Sequence, residues 1–127
     1  MKFVRQELIK KTDVPSQEVL DNIDSLLEKV NAMLVYCPIG ARKCNSGYRT
    51  PEYNKSIGGG PYSNHCTGHA IDIEDKDGSL ALWAMNHYDL LEKYGLRMEN
   101  PLKTHGKSGN WIHFDDAEVK INRIFDI

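Results

Sequence analysis

The sequence predicts a small α+β domain, and three observations carry that expectation. One long segment has the apolar spacing of a helix, two shorter segments are bracketed by helix caps and glycine stops, and short runs of alternating apolar and polar residues lie between them. With 127 residues and no internal repeat, low-complexity tract or linker, the chain is expected to form a single domain over residues 1–127. The arrangement expected is a small antiparallel sheet carrying the functional residues, with helices packed to one side.

The elements follow in chain order. Over residues 15–34, Val19, Leu20, Ile23, Leu26, Leu27, Val30, Met33 and Leu34 recur at spacings of three and four, one stripe along a helix. Pro15 suits its first turn and Asp13 is the expected cap, while Pro38 and Gly40 turn the chain into a loop between Cys37 and Cys44. A second helix is expected from Pro51 to Ile57, capped by Thr50 and ended by Gly58-Gly59-Gly60-Pro61. A third is expected from Leu80 to Tyr94, with Ser79 as cap, Leu80, Trp83, Ala84, Leu90 and Leu91 inward, and Gly95 as stop. His69 to Glu74, Leu96 to Glu99 and Trp111 to Asp115 are the expected strands.

Composition narrows the function classes. The 16 basic and 18 acidic side chains give a net charge of -2, so nothing electrostatic favours nucleic acid or an anionic membrane as partner. No apolar run has the length needed to cross a bilayer. Met1 to Lys11 interleaves charged and apolar residues and lacks the unbroken core of a signal peptide, so cytoplasmic synthesis without a leader is expected. Cys37, Cys44 and Cys66 are odd in number and form no CxxC pair. They read as free thiols rather than as a disulfide framework or a cysteine metal site.

Chemistry concentrates in two islands, Ser63-Asn64-His65-Cys66-Thr67-Gly68-His69-Ala70-Ile71-Asp72 and Trp111-Ile112-His113-Phe114-Asp115. In a strand from His69 to Glu74, Ile71 and Ile73 point to the core and Asp72 to the opposite face, with His65 just ahead across a turn that Gly68 permits. In the second island Ile112 and Phe114 point inward, while Trp111, His113 and Asp115 share the other face. Two imidazoles and a carboxylate meeting in one cleft are three ligands for a divalent metal, with a position left open for water. Hydrogen-bonded structural histidines would show the same alternation, and spacing alone leaves both readings standing. The pair His65 and His69 is spaced as in HExxH helices but has Cys66 and Gly68 where that motif needs a glutamate and a helix, so it is set aside.

The string Ser46-Gly47-Tyr48-Arg49-Thr50-Pro51-Glu52-Tyr53-Asn54, then Gly58-Gly59, then Ser63-x-His65-x-x-Gly68-x-Ala70-x-Asp72, and finally Trp111-x-His113, resembles the M15 family of zinc D-Ala-D-Ala carboxypeptidases and peptidoglycan peptidases. That family includes phage endolysins and shares its fold with the amino-terminal signalling domain of hedgehog proteins. The matched motifs run from 46 to 115 in the family's order. The resemblance implies one zinc per chain held by His65, Asp72 and His113. It implies that Arg49 holds a substrate carboxylate or polarises the scissile carbonyl, work suited to a permanently charged, forked donor. Read without the family, Arg49 would pair with a local acid such as Glu52. Ser63 corresponds to a serine contacting substrate or supporting the first ligand, and by itself reads as a turn residue. Trp111 reads either as a cleft wall for substrate or as core. The implied mechanism is metal-assisted peptide hydrolysis, in which a general base takes a proton from water and passes it to the leaving amine.

One departure stands out. Many members place an acid three residues before the last histidine ligand, where this chain has Asn110, which can orient water but cannot act as a base. The expected base is therefore His105, in the loop from Lys103 to Gly109, as other members resemble this chain in using an upstream histidine. Asp115 comes next and Glu99 third. Asp75-Lys76-Asp77-Gly78 reads as a turn before the third helix rather than a calcium loop, and Gly58-Gly59-Gly60 lacks the Lys-Ser/Thr of a phosphate loop. His69 is expected to face away from the metal and His87 to lie on a helix surface.

The function expected is zinc-dependent cleavage in peptidoglycan stem peptides, near a D-alanine, by a monomer. The setting expected is a phage lysis enzyme reaching the wall through a membrane pore, or a cytoplasmic dipeptidase acting on recycled wall peptides. Two readings of another class stand beside it: a zinc-bearing binding module that has lost catalysis, and a structural virion component on the same fold.

Overall fold

A computed structural model describes residues 1–106 and 109–126. The chain starts with a 3-10 turn over Arg5–Leu8, followed by helix α1 over Gln17–Leu34. Strand β1 (Cys44–Ser46), helix α2 (Pro51–Ser56), a 3-10 turn over Asn64–Thr67 and strand β2 (Ala70–Glu74) come next. Helices α3 (Ser79–Met85) and α4 (Tyr88–Lys93) precede strand β3 (Arg97–Glu99) and the single turn α5 (Pro101–Thr104). Strands β4 (His105–Gly106), β5 (Gly109–Asp115) and β6 (Ile124–Phe125) complete the fold. It is the α+β architecture expected, with strand order β1-β2-β5-β3-β6 and β4 paired to β5 off that path. All pairs are antiparallel except β3 with β6.

The central pair β2–β5 sets the register that matters, bringing Asp72 opposite His113 and Ile71 opposite Phe114. Alternation then sorts the side chains. Ile71, Ile73, Ile112 and Phe114 are fully buried with Met98 of β3 and with Ile23, Leu26, Val30 and Met33 of α1 in one core. Asp72, His113 and Asp115 emerge on the other face, as the alternation of apolar residues predicts. No helix of the described residues is long and apolar enough to cross a membrane.

Three local expectations are corrected. The cap of α1 is Ser16, not Asp13: the Ser16 hydroxyl accepts from the Val19 N–H at 3.3 Å, which puts Pro15 ahead of the helix rather than in its first turn. Ser79 is the first residue of α3 rather than its cap; the glycine turn at Gly78 precedes it, and the carboxylates of Asp77 and Asp75 take the first-turn N–H groups of Ser79, Leu80 and Ala81. The expected helix from Leu80 to Tyr94 is two helices. At the break, the His87 imidazole Nδ1–H donates to the Trp83 carbonyl at 2.6 Å and stacks on the Trp83 ring at 4.7 Å. That carbonyl would take the His87 backbone N–H in a continuous helix; the N–H turns to Ala84 O instead. Leu80, Trp83, Ala84 and Leu91 stay buried through the break, so the apolar stripe carries no trace of it. Strands β1, β4 and β6, none longer than three residues, were not expected. Cys37, Cys44 and Cys66 are free thiols, and burial pushes Cys44 up to about 12.

Candidate metal centre

His65 is delivered by the 3-10 turn ahead of β2. Ser63 caps that turn, its hydroxyl accepting from the His65 N–H at 3.2 Å, and Gly68 closes it at φ 81°. A side chain at Gly68 would be strained by that φ and would press on the Val19 carbonyl at 2.7 Å, so glycine is required for β2 to start where it does. Asp72 and His113 then project side by side from β2 and β5. One donor atom from each of His65, Asp72 and His113 lies within 4.8 Å of the others, the one such trio among the described residues.

The hydrogen bonds give each histidine an inner and an outer nitrogen. His65 Nδ1–H donates to the Gly47 carbonyl at 2.8 Å, leaving Nε2 turned to Asp72 Oδ2 at 3.3 Å. His113 Nδ1–H meets Asp72 Oδ1 at 2.9 Å, while Nε2–H donates to Asp115 Oδ2 at 2.8 Å. Asp115 is in turn gripped by Arg97, whose Nε and Nη2 donate at 2.7 and 3.0 Å. A ligand histidine whose far N–H is tied to a carbonyl or carboxylate has its tautomer and ring orientation set in advance. Both rings here meet that description.

Charge in the cluster follows from this geometry. Burial alone would raise Asp72, but hydrogen bonds from His113 and His65 hold it well below the ordinary carboxylate range. Burial likewise opposes charge on His113, yet the bonds to Asp115 and Asp72 outweigh it and push the imidazole up to about 9. Asp115, despite its burial, is held low by His113 and Arg97. Glu99 behaves differently: it is 7% exposed, and burial lifts its carboxyl above the usual glutamate value, with the His113 charge pulling back only part of the way.

These groups line a cleft of about 610 Å³ together with Arg49, the Gly58–Gly60 turn, Arg97, Glu99 and Phe125. Arg49 is clamped by three acceptors: Ser46 Oγ at 3.0 Å, Asn54 Oδ1 at 3.3 Å and Asp72 Oδ2 at 3.3 Å. Its acidic partner is thus Asp72 rather than Glu52. Asn54, itself buried, passes the clamp on to the Gly60 carbonyl at 2.8 Å, and a side chain at Gly59 would collide with the Asn54 amide. Ser63 and Trp111 both face the cleft.

His105 lies elsewhere. Its Nε2 faces Asp75 Oδ2 at 3.1 Å and its Nδ1 the Pro101 carbonyl at 3.2 Å, and it is not among the residues lining the cleft. Lys107 and Ser108 of its loop lie outside the described residues. Asn110 falls on the face of β5 opposite His113, and its amide donates to the Lys76 carbonyl at 2.8 Å, so it does not reach the cleft as a water-orienting group. His69 turns away to Asp116 at 2.8 Å, as expected. Sequence reasoning misses Asn54, Arg97 and Phe125. Arg97 has a signal, since it shares with Glu99 the face of β3 opposite buried Met98. Phe125 has none, because its short strand pairs only with β3.

The family model Peptidase M15 matches residues 1–115 of the chain. A search of curated proteins finds no match.

Proposed function

The chain belongs to the M15 peptidase family, and from that premise we propose that it hydrolyses a peptide bond next to D-alanine in bacterial peptidoglycan stem peptides, using one zinc held by His65, Asp72 and His113. The observation that carries this reading is the division of labour at the two imidazoles. Outer nitrogens are anchored to Gly47 and Asp115, and inner nitrogens converge on one carboxylate. A donor set of two imidazoles and one carboxylate suits zinc with an open position. Zinc bound there supplies a Lewis acid for the amide carbonyl and lowers the pKa of water.

The chain's own residues supply the rest. Glu99 is the general base: a buried carboxyl on the cleft wall, raised above its ordinary value, is suited to take a proton from water and return it to the leaving amine. Asp115 does not serve as base, because its oxygens are committed to Arg97 and His113; it holds His113 in orientation. Arg49 offers its remaining N–H groups to a substrate carboxylate or the scissile carbonyl from a guanidinium fixed by Ser46 and Asn54. Ser63 and Trp111, which line the cleft, are the further substrate contacts. The bond classes that fit are the D-Ala-D-Ala carboxypeptidase and the L,D or D,D-endopeptidase types.

The test is mass spectrometry of purified wall peptides after incubation with zinc-loaded protein, with chelator-treated protein as control. Chelator-sensitive loss of D-alanine, or scission of a cross-link, is expected and names the bond. In that assay Glu99→Gln should lower kcat by about 10²–10⁴-fold with zinc still bound. Absence of cleavage with zinc demonstrably bound would leave a zinc-bearing binding module in place of the enzyme.

A further inference from the structure

The family match ends at residue 115, yet the chain beyond it returns to the cleft. Four hydrogen bonds stitch this tail to β3 and its neighbours. Met98 N–H donates to Arg123 O at 3.0 Å and Asn100 N–H to Phe125 O at 2.7 Å. Arg123 Nη1 donates to Leu96 O, and Asn100 Nδ2 to Asp126 Oδ1, both at 2.9 Å. The result is β6, parallel to β3 with Phe125 beside Glu99.

That register puts the Phe125 ring in the cleft wall, half-buried, with the Arg97 guanidinium 4.1 Å from its centroid. The ring meets the His113 imidazole edge-on, with centroids 5.8 Å apart and planes at 83°. Among the described residues, no other aromatic side chain of the cleft, the ligand imidazoles themselves aside, is in ring contact with a proposed metal ligand. The lining also includes Gly58, Gly59 and Gly60, which offer backbone and no apolar side chain, and Pro61, Tyr62 and Trp111, none of which is in ring contact with His113. Of the apolar side chains in the lining, Phe125 is thus the one whose ring lies against His113. Glu99 and Arg97 beside the ring and Asp115 beyond them are polar, so among these groups a small aliphatic group gains most by lying on the exposed part of the ring.

We propose that Phe125 is a specificity-determining residue, the apolar wall of a subsite beside His113 that takes the aliphatic side chain of the substrate residue next to the scissile bond. The proposal rests on the metal reading given above. The tail outside the family match would then select the substrate while the segment within it holds the metal.

The experiment uses the full chain loaded with zinc and a series of simple alkyl hydroxamic acids, from acetohydroxamic to butanohydroxamic. These probes anchor on a metal and extend a chain of known length from it, so they read the neighbouring wall without any assumption about the peptide cleaved. Zinc content is measured first, and affinities follow by calorimetry. The wild-type protein should gain about fourfold in affinity per added methylene, the increment for burying one. Phe125→Ala should flatten that rise to less than about twofold, and Phe125→Leu, which keeps an apolar side chain on β6, should retain part of it. A flat series in the wild type, or an unchanged rise in Phe125→Ala, overturns the proposal while leaving the metal site standing. Failure to take up zinc at all would sink the metal reading and this inference with it.

Discussion

Asp72 and Asp75 are three positions apart, both buried, and both meet an arginine and at least one histidine. Only one of them is placed to hold a metal. The two oxygens of Asp75 accept the Leu80 and Ala81 backbone N–H groups at 2.9 Å each, with Arg42 and His105 completing the shell. Among the described residues Asp72 meets no backbone donor; its partners are His65, His113 and Arg49. A backbone N–H cannot leave, so Asp75 is bound to helix α3 as its cap. An imidazole N–H can exchange its proton for a cation, so Asp72 and its histidines form a set that a metal can enter. Residue type and burial are alike in the two places. What separates them is the origin of the hydrogens.

The sharpest way to break this comparison is to remove each carboxylate in turn. Asp75→Ala strips two donors at the start of α3 of their acceptor and leaves Arg42 and His105 facing a void, so stability should fall by about 3–5 kcal/mol in urea unfolding. Zinc affinity of the folded protein should stay as it was. Asp72→Ala should do the reverse, lowering zinc affinity by more than about 100-fold, beyond what loss of an outer partner costs. Equal loss of zinc in both variants would show that the two acids do not divide the work this way.

Asp115→Asn sharpens the point one layer out. The amide keeps the size of the carboxylate but weakens the acceptor for His113 Nε2–H, and zinc affinity should drop by about 10–100-fold with the fold intact. Acidity adds a second handle on the same bond. In the metal-free protein His113 is raised to about 9 from 6.5, so its stabilising charge is complete below 6.5 and is lost as pH rises from there through about 9. Zinc must displace the Nδ1 proton, so zinc affinity should run the other way, gaining about a decade per pH unit up to about 9. Competition titrations at several pH values measure that slope, and a slope of zero across about pH 7–9 would mean that His113 is already neutral there.

These contrasts show what one sequence can and cannot carry. Period-two alternation around Ile71 and Ile73, and around Ile112 and Phe114, is enough to place Asp72 and His113 on one face of two strands. The turn at Gly68 puts His65 just ahead of the first of those strands, and the resemblance to the M15 family adds Arg49. Pairing partners are not legible, because nothing local says which strand lies beside which; hence alternation can put Arg97 on the face of Glu99, but its bond to Asp115, formed only because β3 pairs with β5, escapes a reading of the sequence. The break at His87 is hidden because its cause is a side-chain bond to the Trp83 carbonyl, invisible to an apolar stripe that continues across it. A glycine-bearing loop suggests that His105 reaches the metal, but local flexibility carries no direction. The β4–β5 hairpin that sets its direction pairs His105 with Asn110 and turns it to the Asp75 side.

His105 also supplies the finest test, with the smallest effect expected. Its Nε2 is held at Asp75 and its Nδ1 at the Pro101 carbonyl, an arrangement that braces the cap of α3 against α5 and leaves neither nitrogen for chemistry in the cleft. His105→Ala should therefore cost about 1 kcal/mol of stability, the worth of a hydrogen bond, and leave zinc affinity and turnover unchanged. A fall in kcat of about 10²–10⁴-fold, with zinc bound and the fold intact, would mean that the hairpin swings over the metal during turnover. Glu99 would then lose its place as the proposed base, and the line drawn between the two aspartates would have to be redrawn with His105 on the side of Asp72.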